Sequence, residues 1–287
     1  MADTCTLIVG SHGMLGRDLV KAAQSRPGRV LAVDLEELDI TSKSAVDSYF
    51  EREHPSLVIN AAAYTNVDGA EDDPAADLVN HIGPGNLAEA CATSGSCLVH
   101  FSTDYVFNGK AKTPYTIQTP PDPVNAYGRT KLDGERAILA SNAEHLIIRT
   151  SWLFAPHGNN FLLTMLRLAR ERDSLEVVDD QVGRPTYGPD LVATTFRLID
   201  CGARGTFHAA NEGECSWFEF SKEIFKVAGK TMHVEACNTE AFPRPAPRPA
   251  YSVLDLSVTI ELVGAIQSWQ GAVHDCISAL GDSDALA

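Results

Sequence analysis

Thr6-Leu7-Ile8-Val9-Gly10-Ser11-His12-Gly13-Met14-Leu15-Gly16 decides how the rest of the chain is read. Its first four residues are a short apolar, β-branched run, the pattern of a buried strand. Three glycines follow at Gly-x-x-Gly-x-x-Gly spacing, then an amphipathic segment with Leu15, Leu19, Val20 and Ala23 on one side. Strand, glycine turn and helix in that order form a dinucleotide-binding fingerprint. Gly10 permits the tight turn, Gly13 lets backbone approach a pyrophosphate, and Gly16 lets the helix close on the strand. Amides at the helix start then face the phosphates. A second strand, Arg29-Val30-Leu31-Ala32-Val33, ends at Asp34, about where an acidic residue takes the adenosine ribose hydroxyls.

Further strands and helices alternate outward from this start. Leu57-Val58-Ile59 precedes Asn60-Ala61-Ala62-Ala63, whose small side chains let a cofactor lie close to backbone. The region from Ala75 to Ser94 reads as helical, and Gly83-Pro84-Gly85 is expected to kink or break it. Leu98-Val99-His100-Phe101 is another strand, ending at Ser102-Thr103-Asp104-Tyr105, and His145-Leu146-Ile147-Ile148-Arg149 leads into Thr150-Ser151-Trp152. This alternation predicts an α/β fold, a Rossmann-type doubly wound parallel sheet with ligands at the carboxyl ends of its strands. Gly13, Ala62, Thr103 and Trp152 all lie just past strand ends, so their polar clusters converge on one crevice.

Beyond Trp152 the alternation is lost. A helix from Phe161 to Arg172 and a strand Leu175-Glu176-Val177-Val178 come next. We assign residues 1–152 to the dinucleotide-binding domain, with later segments returning to it. Residues 153–287 are assigned mainly to a smaller C-terminal substrate-binding subdomain, a lid over the crevice. Phe242-Pro243-Arg244-Pro245-Ala246-Pro247-Arg248-Pro249 is too rigid for a helix. It reads either as a surface linker or as a stiff loop whose arginine forks meet a diphosphate.

Of the seven tyrosines, only Tyr127 has a lysine four residues on, Lys131. Residues at that spacing share one helix face, so phenol and ammonium can act as a unit. A nearby positive charge stabilises phenolate and brings the tyrosine closer to proton exchange at neutral pH. Pro123 and Asn125 are helix-start residues, with Asn125 as N-cap.

Composition narrows the class. The 287 residues exceed one average domain, and no apolar run approaches the roughly 20 residues of a membrane-spanning helix. Met1-Ala2-Asp3-Thr4 lacks the basic start of a signal peptide. A formal net charge of -15 disfavours nucleic acid and anionic membranes as partners. The 7 cysteines are scattered without a Cys-x-x-Cys, which suggests buried thiols of a reducing cytoplasm. The 9 histidines show no metal-ligand spacing, so no metal site is assigned.

Taken in order, the motifs resemble those of dTDP-4-dehydrorhamnose reductases, of the extended short-chain dehydrogenase/reductase superfamily. They are Gly-x-x-Gly-x-Leu-Gly at 10–16, Asn60-Ala-Ala-Ala-Tyr-Thr-Asn-Val-Asp68, Ser102-Thr-Asp-Tyr-Val-Phe107, Tyr127-x-x-x-Lys131, Arg149-Thr-Ser-Trp152, Gly183-Arg-Pro-Thr186 and Arg248-Pro-Ala-Tyr-Ser-Val-Leu-Asp255. The resemblance runs from residue 5 to Trp269. It implies reduction of the 4-keto group of dTDP-6-deoxy-L-lyxo-4-hexulose to dTDP-L-rhamnose, a cell-surface sugar precursor. It implies that Tyr127 donates the proton while Lys131 holds the nicotinamide ribose and lowers the Tyr127 pKa. Thr103 then hydrogen-bonds the developing alkoxide. Asp104 and Arg248 fall on the substrate side, with Trp152 as a flat face for the hexose. Gly10, Gly13, Met14, Leu15, Gly16, Asp34, Asp39, Ile40, Ala62, Ala63, Tyr64 and Phe101 fall at family cofactor positions, beside Tyr127 and Lys131.

The cofactor is NADH or NADPH. NADH is favoured because the extra phosphate of NADPH would sit beside the Asp34 carboxylate; of the two close arginines, Arg29 begins the second strand at the far end from Asp34, which leaves Arg17 to offset it. Some relatives dimerise through magnesium on acidic side chains; Asp18 and Asp190 would be remnants of such a site, but magnesium is not predicted here, and a monomer or homodimer is expected. Ile117, Thr119 and Tyr251 depart from residues the family commonly carries on the substrate side. Two other readings stay open: another nucleotide-sugar ketoreductase or epimerase, and a non-catalytic subunit like the methionine adenosyltransferase β subunit. Retention of Arg149-Thr150-Ser151-Trp152 and Asp180-Gln181-x-Gly183-x-Pro185-Thr186 favours the reductase.

Overall fold

Alternate residues along each central strand enter different cores, as the period of two in a strand requires. Leu7, Val9, Val58, Leu98 and Ile147 lie in one apolar cluster, and Ile8, Ile59, Val99, Leu146 and Ile148 in another. Both faces of the sheet are therefore covered, which is why its strands read as continuous apolar runs. The computed structural model describes residues 4–281. Strands β1 (Cys5–Val9), β2 (Arg29–Val33), β3 (Leu57–Asn60), β4 (Cys97–Thr103) and β5 (Glu144–Thr150) pair in parallel in the order β2-β1-β3-β4-β5. The chain leaves β1 for β2 on one side and returns to β3 on the other. That reversal opens a crevice at the carboxyl ends of β1 and β3.

The sheet takes a sixth strand from far down the chain. Gly205–His208 pairs in parallel with β5. The helix before it, Gly188–Asp200, contributes Leu191, Val192, Phe196 and Leu198 to the cluster that holds Leu15 and Leu19. A separate core, including Phe154, Leu162, Leu166, Phe220, Ile224 and Val273, joins the helices Phe161–Glu171, Trp217–Val227 and Trp269–Leu280. Ser174–Val178 and His233–Cys237 pair in parallel beside it.

Gly83-Pro84-Gly85 does not break its helix. Ala75–Asp77 runs into a π-helical turn, Leu78–Ile82, and on into Gly83–Ser94. The wide turn slips the hydrogen-bond ladder so that Pro84 falls in the first turn of the following α-helix, where its missing N–H costs nothing. The same turn carries Asn80 into the interior. Its side chain accepts from Tyr64 N at 2.9 Å and donates to Tyr64 O and Thr130 Oγ1 at 3.0 and 3.2 Å, tying the loop after β3 to the Tyr127 helix.

The proline-arginine stretch is a strap, not a free linker. Asn125 Nδ2 donates to Pro247 O at 2.8 Å, and a side chain on Gly109 would strike Pro249 Cα at 2.6 Å. The cysteines are less uniform than their spacing suggested. Cys5, Cys91, Cys215 and Cys276 are buried, but Cys201, the C-cap of Gly188–Asp200, is exposed. Among the described residues no helix is long and apolar enough to cross a membrane.

Candidate active site

The glycine turn is packed so tightly that backbone alone fits. Gly10 sits at φ +77°, and a Cβ there would lie 2.5 Å from Ala62 N; one on Gly16 would lie 2.0 Å from Gly10 O. This closeness leaves a cavity of about 370 Å³ over the carboxyl ends of β1 and β2, lined by Gly10, Gly13, Asp34, Asp39, Ile40, Ala62 and Ala63 among others. Gly13 is the N-cap of the helix Met14–Gln24, so free amides open toward that cavity. The dimensions and the small lining residues suit a dinucleotide. Asp34 accepts from His12 N and Leu35 N, each at 2.9 Å, which holds its carboxylate at the rim.

The other residues expected around the cofactor have these surroundings. Leu15 is buried in the core, and the Met14 carbonyl lies 3.0 Å from His157 Nε2. Tyr64 is held through its backbone by Asn80, and its hydroxyl donates to Asp73 at 3.0 Å. Asp39 spends one carboxylate oxygen on Thr41 N and Oγ1. Asp18 and Asp190 have separate neighbours, His157 at 3.6 Å for the first and Asn211 at 2.6 Å for the second.

The second wall is the helix Ala126–Ala140. Asn125 caps it by accepting from Gly128 N at 2.8 Å. Gly128 and Gly134 let it approach, since a Cβ on either would come within 2.1 or 2.2 Å of the carbonyls of Tyr105 and Asn80. The helix delivers Tyr127 to the end of β4, beside Thr103. Thr103 Oγ1 accepts from Tyr105 N at 3.1 Å and donates to Asp104 Oδ1 at 3.0 Å. Burial pushes the Asp104 carboxyl up to about 7, against hydrogen bonds from Ser252 and Thr103. Its other oxygen is buried without a partner. Ser252 is a site residue the sequence did not mark out.

Lys131 lies one turn after Tyr127 on this helix. Its Nζ turns inward and donates to the Phe101 carbonyl at 2.6 Å. Burial pushes Lys131 down to about 8, with Glu135 opposing. Tyr127 is pushed up to about 12 by burial and then by Asp104, and the Thr103 hydroxyl alone pulls the other way. The phenol therefore carries its proton at neutral pH, as a general acid must.

Trp152 follows β5 at φ +46°, a left-handed backbone that is costly for a bulky residue. Its indole stacks on Trp217 at 3.5 Å between centroids, and a Cβ on Gly183 would lie 2.5 Å from its Cε2. Trp217 thus covers one face of the indole, and Trp152 stays partly exposed. Arg149 lies inside the protein, bound to Glu135 through Nε and Nη2 at 2.9 and 2.6 Å. Arg248 donates to Asp68 Oδ1 at 3.0 Å and to Ala246 O at 2.7 Å.

A protein-family model described as RmlD substrate binding domain matches residues 4–281. The chain belongs to this family. It is 41% identical over 280 residues to dTDP-4-dehydrorhamnose reductase of Mycolicibacterium smegmatis, covering 96% of this chain and 85% of that protein. It is also 42% identical over 252 residues to the probable dTDP-4,6-dihydroxy-2-methyloxan-3-one 4-ketoreductase of Streptomyces antibioticus, covering 86% of this chain and 85% of that one. The Bacillus anthracis dTDP-4-dehydrorhamnose reductase, solved in complex with NADP, superposes with a TM-score of 0.93 at 38% identity, covering 96% and 99% of the two chains.

Proposed function

We propose that this protein is an NAD(P)H-dependent reductase of the 4-keto group of dTDP-6-deoxy-L-lyxo-4-hexulose, forming dTDP-L-rhamnose. The observation that carries this reading is Thr103 set between Tyr127 and Asp104 at the carboxyl end of β4, beside a crevice fitted to a dinucleotide. A bound nicotinamide supplies the hydride. The Tyr127 phenol gives its proton to the sugar oxygen, and Thr103 steadies the charge developing there. Lys131 holds the nicotinamide ribose. Asp104 takes a sugar hydroxyl, and Arg248 on its strap meets the diphosphate as Asp68 releases it.

The test is nicotinamide absorbance with the 4-keto sugar generated in situ, against its C3/C5-unepimerised precursor and a UDP-linked ketosugar. Oxidation with the first alone is expected. Preference for the precursor would support a ketoreductase of a different dTDP-sugar, a reading that Ile117, Thr119 and Tyr251 keep in view. No oxidation with any would overturn the enzymatic reading.

Cofactor preference follows from Asp34, whose carboxylate stands where two ribose hydroxyls would donate. NADH should give the higher kcat/KM. Arg17, which donates to His12 O at 3.0 Å, lines an adjoining cavity with Lys21, so NADPH remains usable. In Asp34→Ser the NADH-to-NADPH ratio of kcat/KM should fall by about fivefold, the ~1 kcal/mol of a partly exposed charge contact. An unmoved ratio would remove Asp34 from cofactor discrimination.

A further inference from the structure

Behind the Tyr127 helix a chain of buried polar groups leads from the loop after β3 to the lysine. Asn60 Oδ1 accepts the Ala62 amide at 3.1 Å. Asn60 Nδ2 lies 3.1 Å from His100 Nδ1, and His100 Nε2 lies 3.4 Å from Lys131 Nζ. All three side chains are buried, His100 completely.

Donor and acceptor chemistry places the protons along this chain. The Ala62 N–H occupies the amide oxygen of Asn60, so the group that faces His100 is the NH₂ donor. His100 Nδ1 must then accept, which in a neutral ring puts the proton on Nε2. A charged ring would set N–H against N–H at Asn60, and burial together with Lys131 holds His100 well below its usual pKa. Nε2–H therefore points at the lysine. An ammonium carries three donors and no acceptor and would meet that N–H donor to donor, whereas a neutral amine offers its lone pair.

We propose that His100 is a positioning residue that sets the charge of Lys131: locked by Asn60 as the Nε2–H tautomer, it favours the amine over the ammonium. Its effect on turnover rests on the part given to Lys131 in the proposed reduction. The other groups around Lys131 do not supply this bias. Glu135, one turn along the same helix, pulls toward the ammonium, but Arg149 of β5 binds both its oxygens. Tyr127, one turn back, is a neutral phenol, and Asp104 past β4 is itself pushed up to about 7. The loop after β3 and the helical stretch 75–94 offer the uncharged Asn60 and Asn80. Burial acts in the same direction as His100, and Lys131 is pushed down to about 8. A lysine ordinarily titrates near pH 10. With a depressed pKa the ammonium, which favours the phenolate left behind by proton donation, is lost from about pH 8 upward. The rate of reduction should fall there.

Two substitutions test this. In His100→Gln the amide carbonyl is free to turn toward the ammonium. In Asn60→Asp the carboxylate accepts from both Ala62 N–H and His100 Nδ1–H, which moves the ring's lone pair to Nε2. Each should raise the Lys131 pKa by about one unit, and move the alkaline limb of kcat/KM for reduction upward by the same amount. The pKa is read by NMR titration of protein labelled at lysine Cε, with the Lys131 signal identified by its loss in Lys131→Arg. A Lys131 pKa unmoved or lowered in both variants overturns the proposal. Should His100→Gln fail to fold by circular dichroism, Asn60→Asp decides alone. A raised pKa with an unmoved limb upholds the control by His100 and counts instead against Lys131 in the reduction.

Discussion

Tyr127→Phe is expected to lower kcat for ketone reduction by about 10² to 10⁴, the range for a removed general acid, with cofactor affinity nearly unchanged. The substitution deletes one hydroxyl and keeps the ring, which packs edge-on against Tyr105 with centroids 5.9 Å apart. The helix cap at Asn125 and the close approaches at Gly128 and Gly134 are untouched, so the fold should persist. Asp104 is the one neighbouring group that could deputise. Its carboxyl is pushed up to about 7 and so carries a proton for part of the physiological range. The measurement is single-turnover reduction, with cofactor binding followed separately. A variant within tenfold of the wild-type rate would hand the proton to Asp104. In that case the double variant with Asp104→Asn would be the inactive one.

The parts of this site that could be read from sequence are those whose signal is local. A β-branched run before spaced glycines gave β1 and its turn, because tight backbone contact at Gly10 and Gly16 excludes every larger residue. Asn125 and the Tyr127-x-x-x-Lys131 spacing placed the second helix and its cap for the same reason. Features that depend on partners distant in sequence were not legible. The π turn at Leu78–Ile82 is a slip in the hydrogen-bond ladder with no side-chain signature, so Gly83-Pro84-Gly85 read as a break. Ser252 meets Asp104 from far down the chain, where its own N–H is held by the Val182 carbonyl. The spacing put Lys131 one turn after Tyr127, but it could not show that Nζ donates to the Phe101 carbonyl. Nothing local announces that Trp217 stacks on one face of Trp152.

Arg149→Met should destabilise the protein by about 3–5 kcal/mol, because it leaves the Glu135 carboxylate buried without its partner. Arg149 and Glu135 are both almost wholly buried and joined through two hydrogen bonds, and the guanidinium also lies 5.2 Å from the centre of the Phe107 ring. The pair staples the helix that carries Tyr127 to β5, so its loss would loosen one wall of the site along with the core. In thermal unfolding the drop in Tm should be roughly 6–20 °C, at about 2–4 °C per kcal/mol for a chain of this order of size. The converse experiment separates charge from packing. Arg149→Met combined with Glu135→Leu removes both ions and should regain most of the loss, since a buried pair is often matched by apolar residues of similar volume. If Arg149 instead served the substrate, as its place three residues before Trp152 suggests in sequence, the single variant would raise the sugar-nucleotide KM at an unchanged Tm. The second substitution would then restore nothing. The bidentate contact with Glu135, sealed from solvent on both sides, favours the first outcome.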